Sequence, residues 1–272
     1  FMHPLAACDG KANTEFRKDA EGWAKVADRL WVWDYVTSFA HYFVPFPNYR
    51  VWDDNIQFFI KNNVRGIFEQ DTYTTLSGEL SQLGGYVMAK LLWDRNYCRE
   101  KAVTEFLDGV YGKAGRYIGR YMDLLSDKVE KDNIHAMIWV GPVEVKYLTD
   151  DIMKKADRLW DKAEAAVAAQ PDVLERVRVA RLSLDYAWIE KHRNSTQFVN
   201  HARYAVEPDP AFTQRVKRFF EVARRAKVTW MNEGRTTLDA YEEGLKGILQ
   251  EGGRTLTPVE PVAATGTTPG IA

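Results

Sequence analysis

The chain has 272 residues, of which 46% are hydrophobic, and its formal net charge is −1 because acidic and basic residues are nearly equal in number. A chain of this length can bury a sizeable core, in one large domain or two small ones. The balanced charge argues against nucleic acid as a partner, and no stretch is long and apolar enough to span a membrane.

The first 75 residues contain three predicted strands that alternate with helices. Residues 1–5 are read as the end of a strand, and a helix is predicted over residues 14–27. Residues 29–36 form a continuous aromatic and β-branched run, which is typical of a strand buried on both faces. A short amphipathic helix over residues 56–63 precedes the third strand, residues 64–70. This order predicts a parallel sheet or part of a (β/α) barrel.

From about residue 75 onward, apolar residues at helical spacing predict an α-helical domain. Helices are predicted over residues 80–92, 101–111, 114–129, 149–163, 171–188, 209–219 and 237–250. Residues 134–140 are apolar enough for a strand or a buried extended segment. Residues 252–272 consist largely of Thr, Pro, Gly and Ala, which predicts a disordered tail or linker.

Two carboxylates stand at the ends of neighbouring predicted strands. Glu69 is near the end of the third strand, and Asp34 is near the end of the second. In parallel α/β folds the carboxyl ends of strands carry the chemistry, so both acids are candidate catalytic residues. Structural alternatives remain open: Glu69 would cap the next helix, and Asp34 would form a salt bridge with Arg29 or Arg65.

Other side chains near these acids are candidates for substrate binding. Aromatic faces stack on sugar rings, but they also fill protein cores, and a lone His is often a hydrogen-bonding residue in a loop. The nine Trp residues of this chain leave both uses open, and those in the helices are expected in the core. The candidate substrate-binding residues are His3, Trp33, Tyr35, His41, Gln70 and Tyr73.

The sequence gives no sign of a bound cofactor. No cluster of His, Cys or acidic residues has the spacing of metal ligands, and no Gly-rich phosphate loop follows a strand. We therefore predict no metal and no cofactor. Cys8 and Cys98 would pair only if the fold brings them together, so the redox compartment stays open. The sequence contains no recognisable signal peptide and begins at Phe1 without a Met, so we expect a fragment or a trimmed chain.

A series of short motifs closely resembles the DUF4838 family. The motifs are His3-Pro4-Leu5, Leu30-Trp31-Val32-Trp33-Asp34-Tyr35, Phe39-Ala40-His41-Tyr42, Pro45-Phe46-Pro47-Asn48, Gly66-Ile67-Phe68-Glu69-Gln70 and Lys90-Leu91-Leu92-Trp93-Asp94. The resemblance extends to the helices around Trp188 and is specific over residues 3–94. One departure is Asp71, where the family usually has Gly after Glu-Gln.

This resemblance implies a relation to glycoside hydrolases. Some DUF4838 members are grouped in glycoside hydrolase family 163, endo-β-N-acetylglucosaminidases that cut N-glycans. The fold is also similar to that of family 67 α-glucuronidases, in which a helical domain follows a barrel. The expected fold class is therefore α/β followed by all-α. Residues 1–75 would be the last βα units of a (β/α)8 barrel, residues 76–251 a helical domain and residues 252–272 a tail.

Glycoside hydrolysis requires two carboxyl groups, which fits the acids at the strand ends. We expect Glu69 to act as nucleophile, base or transition-state stabiliser. Asp34 would orient the substrate or raise the pKa of Glu69 by like charge. The resemblance implies a further acid from an earlier strand, a glycan partner and a secreted, periplasmic or cell-surface location. The expected activity is of β-N-acetylglucosaminidase type. The alternatives are an α-glucuronidase-like hydrolase and a non-catalytic carbohydrate-binding or structural helical module.

Overall fold

The structure is a computed structural model that describes residues 2–7, 9–194, 204–207, 210–246 and 255–258. Its first elements are helix α1 (Lys11–Trp23), strand β1 (Leu30–Tyr35), helix α2 (Trp52–Lys61) and strand β2 (Val64–Gln70). The remaining elements are α3 (Ser81–Trp93), α4 (Arg99–Tyr111), α5 (Gly115–Lys131), α6 (Asp150–Ala166), α7 (Pro171–Asn194), β3 (Tyr204–Glu207), α8 (Pro210–Arg225), α9 (Leu238–Glu243) and β4 (Thr255–Pro258).

Strands β1 and β2 pair in parallel, and α2 lies on the connection between them. The parallel pairing predicted from the sequence is therefore confirmed for these two strands. Their register places Val32 beside Ile67 and Asp34 beside Glu69. Val32 and Ile67 pack against a small apolar cluster that contains Phe59 of α2. Helix α2 therefore covers one face of the sheet, and this face also carries the two acids.

The other face of the sheet is exposed, contrary to the prediction that β1 is buried on both faces. Trp31 is 80% exposed, Trp33 is 63% exposed and Phe68 is 55% exposed. The ring of Trp31 packs directly over Gly66. It lies so close that a Cβ atom at Gly66 would be 2.1 Å from the ring. A continuous apolar run therefore did not indicate burial here.

The predicted (β/α)8 barrel is wrong, because the parallel sheet of the described residues has two strands. Residues 2–5, the described part of the strand predicted at residues 1–5, form no strand. The chain turns there instead, and the Ala7 N–H donates to the Pro4 carbonyl at 3.1 Å. The Leu5 N–H donates to Asn55 Oδ1 at 2.9 Å. A side chain therefore satisfies a backbone donor that in a sheet would bond to a neighbouring strand.

The helices predicted after residue 80 are present, with shifted ends. Thr149 caps α6, because its side chain accepts a hydrogen bond from the Ile152 N–H. Helix α1 begins before the predicted residue 14, and its N-cap is Gly10. Residues 134–140 form turns and irregular backbone instead of a strand. Thr237 caps the short α9, which ends at Glu243, earlier than the predicted last helix; residues 247–250 lie outside the described residues.

The aromatic loop between β1 and α2 packs into the core of the helical part. Tyr42 and Phe43 in this loop are almost fully buried. The ring of Phe43 lies 6.2 Å from that of Tyr186 on α7 and 6.1 Å from that of Phe219 on α8, measured between centroids. One apolar core therefore joins the loop that follows β1 to helices far along the chain.

The segment predicted as a tail, residues 252–272, contains strand β4, which pairs antiparallel with β3. The other residues of that segment lie outside the described residues. The predicted domain boundaries at residues 75 and 251 stay predictions.

Candidate functional site

The two acids at the strand ends lie side by side on the covered face of the sheet. Asp34 and Glu69 are in-register partners in β1 and β2, and neighbouring strands are about 4.8 Å apart. The Oε2 atom of Glu69 is buried and has no hydrogen-bond partner among the described residues. Burial removes water from this oxygen, and no donor of the described residues replaces it, so the ionised form of the carboxyl group is disfavoured.

Burial and like charge together change the proton affinity of this pair. Desolvation is the larger cause, and the Asp34 carboxyl adds to it, so that the pKa of Glu69 rises to about 8. Burial also raises the pKa of Asp34, but the Tyr35 N–H donates to Asp34 Oδ1 at 2.8 Å and partly offsets this rise. We therefore assign the proton held near neutral pH to Glu69, since the donor at Asp34 favours the charged form there.

The structural alternatives for these acids are not realised in the described part of the chain. Helix α3 begins only at Ser81, so Glu69 does not cap it. Neither acid forms an ion pair with Arg29 or Arg65 among the described residues.

An open cavity of about 720 Å³ lies at the carboxyl ends of β1 and β2. Its wall contains three carboxyl groups, those of Glu69, Asp71 and Glu233. The other lining residues are mostly aromatic: Trp33, Tyr35, Phe39, Phe68, Gln70, Thr72, Tyr73 and Trp139. A cavity of this size, with an apolar aromatic wall and a few convergent polar groups, has the character of a small-molecule site.

Several predicted substrate-binding residues meet in this cavity: Trp33, Tyr35, Gln70 and Tyr73. The Trp33 indole N–H donates to Gln70 Oε1 at 2.7 Å, and its ring meets the ring of Phe68 edge to face at 4.9 Å. These contacts hold the Trp33 ring in place while most of its surface stays open to solvent. An ordered, exposed aromatic ring of this kind can receive the apolar face of a ligand.

Asp34 does not line the open cavity. It lines a smaller cavity of about 190 Å³, to which Trp33 and Tyr35 also contribute. The two cavities therefore meet at the end of β1. Asp34 therefore influences the open cavity through its charge, which raises the pKa of Glu69.

A further acid connects the open cavity to the core. Asp71 lines both the open cavity and a small one of about 30 Å³, which Glu79 also lines. Burial raises the pKa of Asp71 to about 6 and that of Glu79 to about 8. The small cavity is also lined by Trp52, whose Nε1 has no partner among the described residues. Its volume is sufficient for a water molecule.

His3 and His41, both predicted substrate-binding residues, are not among the residues that line the open cavity. The Nε2 atom of His3 lies 2.8 Å from the Ile134 carbonyl oxygen. The Nδ1 atom of His41 lies 2.5 Å from the Tyr186 hydroxyl, and burial lowers the pKa of His41. The structure therefore uses both His side chains in contacts between segments.

Sequence reasoning missed Glu233, Trp139 and Phe39 as lining residues of the cavity. Asn232-Glu233-Gly234 carries a local turn signal, but such a signal does not reveal what the turn packs against. Trp139 belongs to a segment predicted as a strand or a buried extended piece, whereas its side chain is 51% exposed. Long-range packing places all three side chains, and no local pattern encodes that packing.

The described residues form neither a metal site nor a membrane-spanning helix. No group of three or more His, Cys, Asp or Glu side chains there is arranged to hold a metal ion. None of the described helices combines the length and the hydropathy needed to cross a lipid bilayer. Cys98 is an exposed free thiol, and Cys8 lies outside the described residues.

The fold and the cavity define a βαβ unit joined to a helical part, with an aromatic site that contains carboxyl groups. A family model described as "Domain of unknown function (DUF4838)" matches residues 2–123, so the resemblance to this family is confirmed over that range. The matched residues include Asp34 and Glu69 but not Glu233. No curated protein and no solved structure matches the chain.

Proposed function

We propose that this chain carries the site of a glycoside hydrolase of β-N-acetylglucosaminidase type, with Glu69 as its general acid. The observation that carries the proposal is the pKa of Glu69, raised to about 8, on the wall of an open aromatic cavity. A group that acts as an acid at neutral pH must still hold its proton there. The resemblance to DUF4838 members that act on glycans supports the choice of substrate.

In the proposed reaction, Glu69 donates its proton to the glycosidic oxygen while the bond from that oxygen to the anomeric carbon breaks. Water then adds to the anomeric carbon and releases one proton, so the protonation state of the enzyme is restored over the cycle. The sequence alone favours a nucleophile, a base or a transition-state stabiliser at Glu69. The raised pKa favours the acid instead, because a nucleophile or a base must be ionised.

Asp34 has an electrostatic role in this scheme. Its like charge beside Glu69 contributes to the raised pKa, and its own oxygen is held by the Tyr35 N–H. Trp33 and Tyr73 provide open aromatic surfaces beside Glu69 on which a sugar ring would stack. These surfaces also support the second candidate, a carbohydrate-binding module without catalysis, because stacking needs no acid.

The test uses two aryl β-N-acetylglucosaminides, one with phenol and one with 2,4-dinitrophenol as the leaving group. For Glu69→Gln we expect kcat on the phenyl substrate to fall by about 10²–10⁴-fold, the usual worth of a general acid. The dinitrophenyl substrate should react at nearly the wild-type rate, because its leaving group departs without protonation. Glu243→Gln, an exposed acid on α9, is the matched control and should behave as wild type.

Equal losses on both substrates would contradict the role of Glu69 as an acid. A wild-type protein that cleaves neither substrate, nor an aryl α-glucuronide, would contradict the hydrolase. If that protein still binds N-acetylglucosamine oligosaccharides by titration calorimetry, the binding-module alternative is supported.

A further inference from the structure

Glu233 reaches the open cavity from a turn that lies outside the residues matched by the family. The turn connects α8 to α9 and is closed by a hydrogen bond from the Met231 N–H to the Thr236 carbonyl at 2.9 Å. Asn232 Oδ1 accepts a second hydrogen bond, from the Thr236 N–H at 2.8 Å. Gly234 has a φ of +68°, which favours glycine, so the residue after Glu233 suits the turn.

Hydrogen bonds fasten this turn to the segments that follow β1 and β2. The Glu233 N–H donates to the Phe39 carbonyl at 3.0 Å, and the Tyr42 N–H donates to the Met231 carbonyl at 3.0 Å. On the β2 side, the Thr229 N–H donates to Thr75 Oγ1 at 3.0 Å. The backbone of Glu233 is therefore fixed relative to the strand ends that carry the acid.

The side chain of Glu233 is fixed as well. The Tyr73 hydroxyl donates to Glu233 Oε1 at 2.8 Å, and Tyr73 itself follows β2 and lines the same cavity. This hydrogen bond is the largest cause of the raised pKa of Tyr73, so the phenol keeps its proton and remains a donor at neutral pH. Glu233 Oε1 is thus held by Tyr73, while its backbone is held by Phe39.

Glycoside hydrolysis needs two carboxyl groups on opposite sides of the scissile bond. Asp34 and Glu69 are in-register neighbours on one face of one sheet, so both lie on the same side of any ligand in the open cavity. Asp71, the remaining carboxyl of the cavity wall, follows Glu69 by two positions on the same segment, so the second group must come from another element. Glu233 meets this condition, because it lines the cavity from a turn that belongs to neither strand.

We propose that Glu233 is the second carboxyl of the site, a catalytic residue that reaches the sugar from the turn between α8 and α9 rather than from the sheet that carries Glu69. Its negative charge stabilises the positive charge that develops at the anomeric carbon as the glycosidic bond breaks. This inference rests on the proposed function, since the role exists only if the site cleaves glycosides. The helical part of the chain thereby contributes a catalytic residue to the site.

The test is Glu233→Gln, which keeps the shape and can still accept the Tyr73 hydrogen bond while the charge is lost. We expect kcat to fall by about 10²–10⁴-fold on the phenyl and the 2,4-dinitrophenyl β-N-acetylglucosaminide alike, because charge at the anomeric carbon develops with either leaving group. Glu69→Gln should lose activity on the phenyl substrate only. Glu243→Gln again serves as the matched control, and the Tm of each variant is measured.

Wild-type turnover by Glu233→Gln, or recovery with the dinitrophenyl substrate, would overturn this role and leave the acid role of Glu69 standing. A wild-type protein without activity on either substrate would overturn the proposed function and this role together. If the Tm of Glu233→Gln falls sharply, Glu233→Asp decides. It keeps the charge, so the role predicts partial activity for Glu233→Asp, and activity no higher than that of Glu233→Gln would overturn it.

Discussion

At the scale of single residues, Glu69 is kept in an environment that works against its charge. A shift of one pKa unit corresponds to about 1.4 kcal/mol of differential interaction between the two protonation states. Desolvation is the larger cause of the rise of the Glu69 pKa from 4.5 to about 8, and the like charge of Asp34 adds to it. Carboxyl groups with such shifts on the wall of a cavity are concentrated at functional sites.

Trp33 should contribute to substrate binding more than its neighbour Trp31. Both rings lie on the exposed face of β1, but only Trp33 lines the open cavity. We expect Trp33→Ala to raise KM for an aryl glycoside by about tenfold, which equals about 1.4 kcal/mol of lost stacking. Trp31→Ala is the matched control and should leave KM unchanged. Equal KM values for the two variants would show that no sugar stacks on Trp33.

The candidate acids Asp34 and Glu69 were predictable from the sequence, whereas the acid Glu233 was not. Asp34 and Glu69 each end a short apolar run, and parallel pairing brings such ends together. Glu233 is 164 positions from Glu69 in the sequence, and its placement depends on the packing of α8 and α9. At Asp71 the resemblance to the family implies Gly. The backbone φ of Asp71 is not positive, so this position does not require glycine.

At the scale of elements, the parallel pair was predictable because each strand is a local apolar run that ends in an acid. The strand expected at residues 1–5 failed for a tertiary reason. Pro4 offers no N–H for a ladder, and the Leu5 N–H is taken by Asn55 Oδ1. The barrel prediction was correct for the βαβ unit of β1, α2 and β2. The other described residues add no strand to this parallel sheet, so they do not form a barrel.

A buried ionic network joins three helices of the helical part. Asp185 on α7 is only 2% exposed and accepts hydrogen bonds from Arg215 and Arg218 of α8, at 2.6 and 2.5 Å. Asp157 on α6 binds Arg215 as well, at 2.9 Å. The network therefore fixes how α8 lies on α6 and α7.

Removing one partner of this network should be destabilising. We expect Asp185→Ala to lower the free energy of unfolding by about 1–3 kcal/mol, because Arg218 loses its carboxylate partner, while Arg215 keeps its ion pair with Asp157. The matched control is Glu175→Ala, which breaks an exposed pair with Arg225 and should have a much smaller effect. Urea denaturation measures both variants, and similar losses would contradict a special role for the buried network.

At the scale of the whole molecule, the site depends on a core that joins distant parts of the chain. The loop after β1 packs on α7 and α8, and the same packing brings the Glu233 turn against Phe39 and Tyr42. Apolar periodicity predicted the helices, but it carries no information on which helices a loop meets. The cavity is therefore a product of tertiary packing, although its acids lie on local elements.

Three partly buried acids with raised pKa values should make the stability of the protein depend on pH. The folded-state pKa values of Glu69, Glu79 and Asp71 are about 8, 8 and 6, against 4.5, 4.5 and 3.8 in an exposed chain. The folded state binds these protons more tightly, so the stabilisation is complete below pH 4 and is lost as pH rises through 6 to 8. We expect Tm to fall between pH 5 and pH 9.

Glu79→Gln should reduce this fall of Tm with pH, because the Gln side chain does not titrate. A change of 1 kcal/mol corresponds to about 2–4 °C in Tm for a protein of this size. Calorimetry of the wild type and of Glu79→Gln across this pH range measures the effect. Identical slopes for the two proteins would mean that Glu79 is ionised at little cost in the folded state.

The central claim is that Glu69 keeps its proton at neutral pH because it is buried beside Asp34. It is tested most directly by a ¹³C NMR titration of the Glu side-chain carboxyls, with the Glu69 signal assigned by its loss in Glu69→Gln. The account predicts a midpoint of about 8 for Glu69 in the wild type and a lower midpoint in Asp34→Asn. A wild-type midpoint near the ordinary 4.5, or one that Asp34→Asn leaves unchanged, would contradict it.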